Sequence, residues 1–164
     1  MSITIESLLE KGQTLLNLGN PKEALVFYEQ VLRQNPTQIE GLLKKGHILG
    51  KIGRYENAIK CYDLVLSQDP GHLLALLNKG LAHHYIGEYD IALKCFDNVL
   101  CVKPKNTTAL YNKASSLIKS GKIKQGLEIL SDVIKIDFSF KAKAKFDIDF
   151  QEIKKLNEFK AIIS

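Results

Sequence analysis

The strongest constraint on this sequence is a spacing of 34 residues, at which residues of the same kind return along the chain. The series are Pro36, Pro70 and Pro104; Gly12, Gly46 and Gly80; Gly19, Gly53, Gly87 and Gly121; Ala24, Ala58 and Ala92; and Tyr28, Tyr62 and Phe96. A fixed period of this length indicates one supersecondary unit copied along the chain, because a single copy cannot bury its apolar face alone. Stacked copies form an extended surface rather than an enclosed catalytic cavity, so the period favours a binding module.

Each period is typical of two helices. In the second period Leu42, Leu49 and Ile52 have helical spacing, and Gly53 predicts the end of that helix. A second apolar pattern follows and ends before Pro70, because proline cannot continue a helix in its interior.

Local signals predict where three of the helices begin. Thr37 to Glu40 has the pattern of a capping box at the start of the second unit. Asn106 is the expected N-cap of the fourth unit, and Pro21 is expected in the first turn of a helix.

Small residues recur in the middle of the first helix of each unit. Gly46 and Gly80 stand there, although glycine in a helix costs up to about 1 kcal/mol relative to alanine. The recurrence predicts close contact with the second helix, with Ala58 and Ala92 as the matching small residues.

These residues carry a resemblance to a known family. The pattern Leu42-x2-Lys45-Gly46-x2-Leu49, followed by Ala58-x3-Tyr62 and Pro70, resembles the tetratricopeptide repeat. The first and third units match it, whereas the fourth is degenerate, since Gly126, Leu130 and Phe138 replace the usual alanine, aromatic residue and proline. The resemblance implies an all-α fold, a right-handed α-solenoid superhelix of about four helix-hairpin units within a single domain, residues 1–164. The expected repeats are 5–38, 39–72, 73–106 and 107–138.

The period fails after residue 138, although an apolar pattern continues. Terminal units of solenoids are atypical because one of their faces meets water. We therefore expect residues 139–164 to form a C-terminal cap of short helices. Phe146, Phe150, Leu156 and Phe159 are expected to cover the exposed end of the fourth unit.

The resemblance also implies a binding surface, because in this family the first helix of each unit lines the concave face. Transferred by register, the expected peptide-binding groove contains Leu43, His47, Leu74, Leu77, Asn78, Leu81, His84, Tyr85, Tyr111 and Asn112, with Leu9, Gln13 and Ser115 beside them. The third unit is the most apolar and suits a partner helix or an apolar peptide. Asn78 and Asn112 could pair with a peptide backbone. Alternatively, part of the apolar stripe is core between repeats, or is covered by the chain's own tail.

Some members of the family bind chaperone tails and hold a terminal carboxylate with Lys and Arg at set groove positions. Leu9, Leu74 and Asn78 stand at those positions here. A carboxylate clamp is therefore not expected.

The sequence offers no pattern for catalysis or for metal binding. No Ser-His-Asp set or phosphate-binding loop is evident. His83 and His84 are adjacent and so point to different helix faces, and three cysteines without CxxC are no zinc signature. Cys61 and Cys95 are expected to be small buried fillers. We expect no enzyme, no metal and no cofactor.

Charge leaves two alternative functions open. The stretch from Lys103 to Lys145 contains ten lysines and has a net charge of +7, whereas the rest of the chain is −2. A solvated face explains these lysines, but they could also bind an acidic partner, a nucleic acid or another polyanion. Self-association into a homodimer is the second alternative.

The expected function is a non-catalytic protein–protein interaction scaffold or adaptor that binds a peptide or helix. No apolar run approaches the roughly 18 residues of a membrane span. The start of the chain has neither a basic region nor an apolar signal segment. We therefore expect a cytoplasmic location.

Overall fold

The computed structural model describes residues 3–164. Residues 1 and 2 lie outside this range. Both belong to the predicted single domain and to the start of the chain, for which no signal segment is predicted. The repeats form eight helices in four hairpins: α1 (Ile5–Asn17) and α2 (Pro21–Gln34), α3 (Ile39–Lys51) and α4 (Tyr55–Gln68), α5 (Leu73–Tyr85) and α6 (Tyr89–Val102), and α7 (Thr107–Lys119) and α8 (Ile123–Ile136). The described residues contain no strand. The all-α helix-hairpin fold predicted from the period is thereby confirmed.

Three short elements follow the hairpins. They are α9 (Ser139–Phe146), a 3₁₀ helix (Ile148–Ile153) and α10 (Asn157–Ile163). Contacts divide the chain into two compact units, residues 1–82 and residues 83–164. The single domain and its repeat boundaries stay predictions. None of the described helices is long and apolar enough to cross a membrane.

The first helix of each hairpin is terminated by a glycine that follows it. The φ angles of Gly19, Gly53, Gly87 and Gly121 lie between 78° and 85°, a left-handed conformation that L-residues with a side chain rarely adopt. At the end of α3 the N–H of Gly53 donates to the Gly50 carbonyl, and the N–H of Arg54 donates to the Leu49 carbonyl. The predicted helix ends are therefore confirmed.

Two of the three predicted helix starts are confirmed. Asn106 accepts a hydrogen bond from a backbone N–H of α7, and Pro21 is the first residue of α2. The capping box at Thr37 is wrong, because α3 begins one residue later than predicted. Gln38 is the N-cap, and the Thr37 hydroxyl donates instead to Asn35.

The mid-helix glycines make room for aromatic rings. A Cβ at Gly46 would lie 2.6 Å from Cε1 of Tyr62, and one at Gly12 would lie 2.8 Å from Cζ of Tyr28. Close contact with the second helix is thus confirmed at both positions. Its nearest partner is the tyrosine ring, however, rather than an alanine such as Ala58.

The fourth hairpin keeps this close contact with the small residues exchanged between helices. Ala114 occupies the place of the earlier glycines, and Gly126 occupies the place of the earlier alanines. A Cβ at Gly126 would lie 2.8 Å from the Ala114 carbonyl oxygen and 2.5 Å from Ile118. Leu130, which replaces the aromatic residue, is fully buried. Gly126 therefore lets α8 approach the backbone of α7 and the Ile118 side chain closely.

The C-terminal elements pack against the fourth hairpin. The 3₁₀ helix contacts α7, and α9 and α10 contact α8. Phe150 and Phe159 are completely buried and join Leu130, Phe140 and Ile153 in one apolar cluster. These contacts confirm that Phe150 and Phe159 cover the fourth unit.

Two other residues predicted to take part in this cover do not. Phe146 is 84% exposed and Leu156 is 38% exposed. Phe146 is exposed because α9 packs through Phe140 and Ala144, four residues apart on one helix face, whereas Leu156 lies beyond α9, at the N-cap of α10. Phe146 comes two residues later and therefore points away from that face.

Candidate functional site

In the first compact unit the predicted groove residues lie on α3 and α5. Leu43, Leu77, Asn78 and Leu81 are half-buried, and His47 and Leu74 are exposed. The opposite side of α5 supplies the core through Ala75 and Leu76. We call the set formed by Leu43, His47, Leu74, Leu77, Asn78 and Leu81 the leucine face. Its position follows from the helical period, since one face of α5 is in the core and the other meets solvent.

A polar contact connects the first helices of the first two hairpins. The ammonium group of Lys44 on α3 donates to the side-chain oxygen of Gln13 on α1, at 2.5 Å. Burial lowers the pKa of His47, and the ammonium groups of Lys51 and Lys44 lower it further. His47 is therefore neutral at pH 7, and the positive charge beside the leucine face comes from lysine.

A series of ion pairs repeats along the hairpins. The pairs are Lys45–Glu29 at 3.2 Å, Lys79–Asp63 at 2.6 Å and Lys113–Asp97 at 2.6 Å. Each joins the first helix of one hairpin to the second helix of the preceding hairpin. The sequence contains the signal, since the lysines and the acidic residues of these pairs each recur at a spacing of 34. Exposed pairs of this kind contribute roughly 0–1 kcal/mol each.

In the second compact unit, three of the four predicted groove residues are buried. Tyr85 is 51% exposed, whereas Tyr111 is 2%, Asn112 is 8% and His84 is 5% exposed. The 3₁₀ helix and the residues around it lie over Tyr111 and His84. In this structure His84, Tyr111 and Asn112 are therefore not on an accessible surface.

Tyr111 contacts the C-terminal segment, residues 139–164, through a hydrogen bond and through its ring. Its hydroxyl donates to Asp147 at 2.6 Å, and its ring lies 5.0 Å from the Phe140 ring and 5.7 Å from the Phe150 ring. The ammonium group of Lys143 lies 4.1 Å from the centre of the same ring. Burial, together with the hydrogen bond to Asp147, raises the pKa of Tyr111 well above its ordinary value.

His84 is the centre of a buried hydrogen-bond network. Its Nδ1 lies 2.9 Å from the Ser116 hydroxyl, and its Nε2 lies 3.0 Å from Asp149. The Ser115 hydroxyl donates to the same Asp149 oxygen at 2.5 Å. Burial acts to raise the pKa of Asp149, but the hydrogen bonds from His84 and Ser115 outweigh it and hold the pKa below its ordinary value.

This network contains a serine, a histidine and an aspartate, a combination that no sequence motif predicted. His84 and Asp149 are 65 residues apart, so no local motif could indicate their contact. A hydrolytic serine must reach its substrate. Ser116, however, is 0% exposed and His84 is buried beside it. The network therefore attaches Asp149 and the tail to α5 and α7.

Comparison with known proteins agrees with the helix-hairpin fold. The family model described as tetratricopeptide repeat matches residues 15–80. The model described as anaphase-promoting complex, cyclosome, subunit 3 matches residues 51–133, which is just over half of the chain. Both describe families of tetratricopeptide repeats. A search of curated proteins finds no match.

Solved structures share the fold at low sequence identity. A MamA protein from Desulfovibrio magneticus RS-1 is 23% identical, with a TM-score of 0.82 over 99% of this chain and 90% of that one. A tetratricopeptide repeat protein from Parabacteroides merdae ATCC 43184 is 23% identical, with a TM-score of 0.84 over 96% of this chain and 62% of that one. A thermophilic repeat protein from Thermus thermophilus is 17% identical, with a TM-score of 0.77 over 97% of this chain and 88% of that one.

The family models match the same residues that the helix hairpins occupy, and the solved structures share those hairpins. The resemblance seen in the sequence is confirmed: this chain belongs to the tetratricopeptide repeat family.

Proposed function

We propose that this chain is a non-catalytic protein-interaction module and that it binds an apolar peptide or helix against the leucine face. The observation that carries this proposal is the placement of leucines on the solvent side of α5. Leu74, Leu77 and Leu81 follow the spacing i, i+3 and i+7, and none of them is fully buried. An accessible row of apolar side chains on a helix is the usual receptor for the apolar face of a second helix.

Asn78 supports a peptide ligand. It is half-buried among these leucines, and within residues 3–164 its side chain makes no hydrogen bond. A primary amide has both a donor and an acceptor, so it can pair with one N–H and one C=O of a peptide backbone. Leucines would supply apolar contact area, and Asn78 would fix the register of the bound segment.

The proposed surface is smaller than the groove expected from the sequence. His84, Tyr111 and Asn112 are buried, the first two beneath the C-terminal segment, and we leave all three out. Tetratricopeptide repeat modules are typically non-catalytic interaction modules, which agrees with the proposal. The proposed binding surface is formed by residues of α3 and α5 alone.

The test uses a defined ligand. Peptides are selected by display on the wild-type protein, and the dissociation constant of the best one is measured by fluorescence anisotropy. Leu74→Glu and Leu77→Glu should each raise it about tenfold or more, which corresponds to about 1.4 kcal/mol. Leu64→Glu is the matched control, because Leu64 is 48% exposed on α4, outside the leucine face.

The affinities of the variants can support or refute the proposed surface. Equal affinity of the wild type and both leucine-face variants would refute this surface, as would an equal loss for Leu64→Glu. Melting curves of all variants are compared, because a large stability loss in Leu77→Glu would mean that Leu77 is core. Leu74, at 50% exposed, is the variant on which the decision then rests.

The polyanion alternative has less support in the structure than in the sequence. Four of the ten lysines between 103 and 145 lie beside carboxylates, in the pairs Lys113–Asp97, Lys119–Glu152, Lys122–Asp90 and Lys135–Asp132. Their charge is therefore partly neutralised within the protein. The protein-interaction proposal is the one that the exposed leucines favour.

A further inference from the structure

Three large apolar side chains at the two ends of α9 are exposed and are not used by the fold. Phe138 is 70%, Phe146 is 84% and Ile148 is 76% exposed. The inner side of the helix packs through Phe140 and Ala144, which are buried. Burying such side chains would be favourable, so their high exposure around one short helix indicates a surface that meets something apolar.

Lysines lie on the same side of α9 as Phe138 and Phe146. At 100° per residue, Phe138, Lys141, Ala142, Lys145 and Phe146 span an arc of about 140°, and Phe140 and Ala144 fall outside it. The ammonium group of Lys141 lies 4.8 Å from the centre of the Phe138 ring. We call Phe138, Lys141, Lys145 and Phe146, together with the exposed Ile148 that follows two residues later, the α9 ridge.

The carboxylates near the ridge accept hydrogen bonds within the fold and keep their negative charge. Asp137 accepts a hydrogen bond from the backbone N–H of Ser139. Asp147 accepts from the Tyr111 hydroxyl, and Asp149 is held in the buried network. Residues 139–146 contain three lysines and no acidic residue. Among the described residues, neither Lys141 nor Lys145 forms an ion pair. The ridge therefore combines apolar side chains with two lysines that form no ion pair within the fold.

We propose that the α9 ridge docks on the surface of a bilayer that contains anionic lipids. Phe138, Phe146 and Ile148 enter the boundary between headgroups and acyl chains, where exposed aromatic and aliphatic groups are stabilised. Lys141 and Lys145 remain at the headgroups, because their long apolar stems let the ammonium groups reach the lipid phosphates. Each lysine near such a surface strengthens binding about fivefold at moderate salt.

Charge and shape favour a bilayer over the other occupants. A contact between the ridges of two copies would place four lysines without ion pairs in one interface, and an excess of like charge opposes association. Nucleic acids are bound by Arg and by stacking on aromatic rings. Residues 103–145 contain no Arg, and Ile148 has no ring to stack. An aliphatic side chain beside two phenylalanines and lysines suits a lipid interface.

The first experiment reports insertion directly. The chain contains no tryptophan, so Phe146→Trp gives a single tryptophan, excited selectively over the tyrosines, at the most exposed position of the ridge. Vesicles of phosphatidylcholine alone are compared with vesicles that also contain phosphatidylserine at about 30 mol %. We expect a blue shift, and quenching by brominated acyl chains, with the anionic vesicles only. Leu18→Trp is the control, because Leu18 is 69% exposed in the first compact unit, and its emission should not change.

The second experiment separates the ridge from the overall charge. Co-sedimentation with anionic vesicles should weaken about tenfold or more in Lys141→Glu/Lys145→Glu. It should weaken less than about threefold in Lys103→Glu/Lys105→Glu, which makes the same change of net charge at exposed positions between α6 and α7. Phe146→Ser should weaken binding several-fold without changing the melting temperature, because Phe146 makes little contact with the core.

Three outcomes would overturn the proposal. The first is an unchanged emission of Phe146→Trp with anionic vesicles. The second is an equal loss of binding in both lysine double variants, which would mean attraction by net charge alone. The third is a response of Phe146→Trp to single-stranded RNA or to protein concentration but not to vesicles, which would assign the ridge to nucleic acid or to self-association.

Discussion

Replacing Phe150 by alanine should strongly destabilise the second compact unit. Phe150 is 0% exposed, and its ring lies 5.7 Å from both the Tyr111 ring and the Phe159 ring. Loss of its transfer free energy and formation of a cavity together cost about 3–5 kcal/mol for a buried phenylalanine. Because a domain is stable by about 5–15 kcal/mol in total, this loss is a large part of the whole.

Phe146→Ala is the matched control for the same chemical change four residues earlier. Its side chain is 84% exposed, so the free energy of unfolding should change by less than about 0.5 kcal/mol. Both variants are unfolded in urea and followed by circular dichroism at 222 nm, and the midpoints are compared. The slope of each transition is checked as well, because units of a repeat protein can unfold separately.

The difference between the two variants is the critical result. Equal destabilisation by Phe146→Ala and Phe150→Ala would refute the packing described for the tail. Two stable variants would do the same, since they would mean that residues 147–163 do not cover the fourth hairpin.

Four further predictions concern single substitutions. Gly46→Ala should cost about 1–3 kcal/mol, because the new methyl group would lie 2.6 Å from the Tyr62 ring. Gly50→Ala meets no atom within 4 Å and should instead stabilise by up to about 1 kcal/mol, as thermal melting would show. Tyr28→Phe should leave the free energy of unfolding, measured with urea, unchanged or raise it by about 1 kcal/mol. The reason is that among residues 3–164 the buried Tyr28 hydroxyl has no hydrogen-bond partner. A clear loss of stability would mean that the hydroxyl does have a partner. Because its folded-state pKa is depressed, Asp149 contributes stability that is present above the ordinary pKa of 3.8 and lost as the pH falls through the folded value. Asp149→Asn should therefore lose less stability than the wild type between about pH 5 and pH 2 in acid titrations, and an identical profile would contradict this role.

Much of the fold could be predicted from the sequence because the repeat is built from local interactions. Pro36, Pro70 and Pro104 mark hairpin ends through backbone geometry, and Gly53 and its equivalents mark the turns within hairpins through their positive φ angles. The hairpins lie where these residues indicate, since each signal acts within a few residues of its own position. The exact helix start at Gln38 was missed, because several polar side chains there could cap the same amide.

Part of the candidate site could be read from the register, but its accessibility could not. Leu74 and Leu77 were placed on α5 by the helical period alone. Tyr111 stands at the corresponding position in the fourth hairpin and was expected to be equally accessible. The tail folds back and buries it.

The sequence by itself determined the repeated helix hairpins, their turns and the family of this protein. The tertiary structure alone decided which of the equivalent surfaces stay exposed, which phenylalanines of the tail are core, and that His84 contacts Asp149 across 65 residues. The physical reason is that periodicity records what each helix buries against its neighbours in sequence. Contacts made by a returning tail depend instead on the packing of the whole unit, which no local pattern encodes.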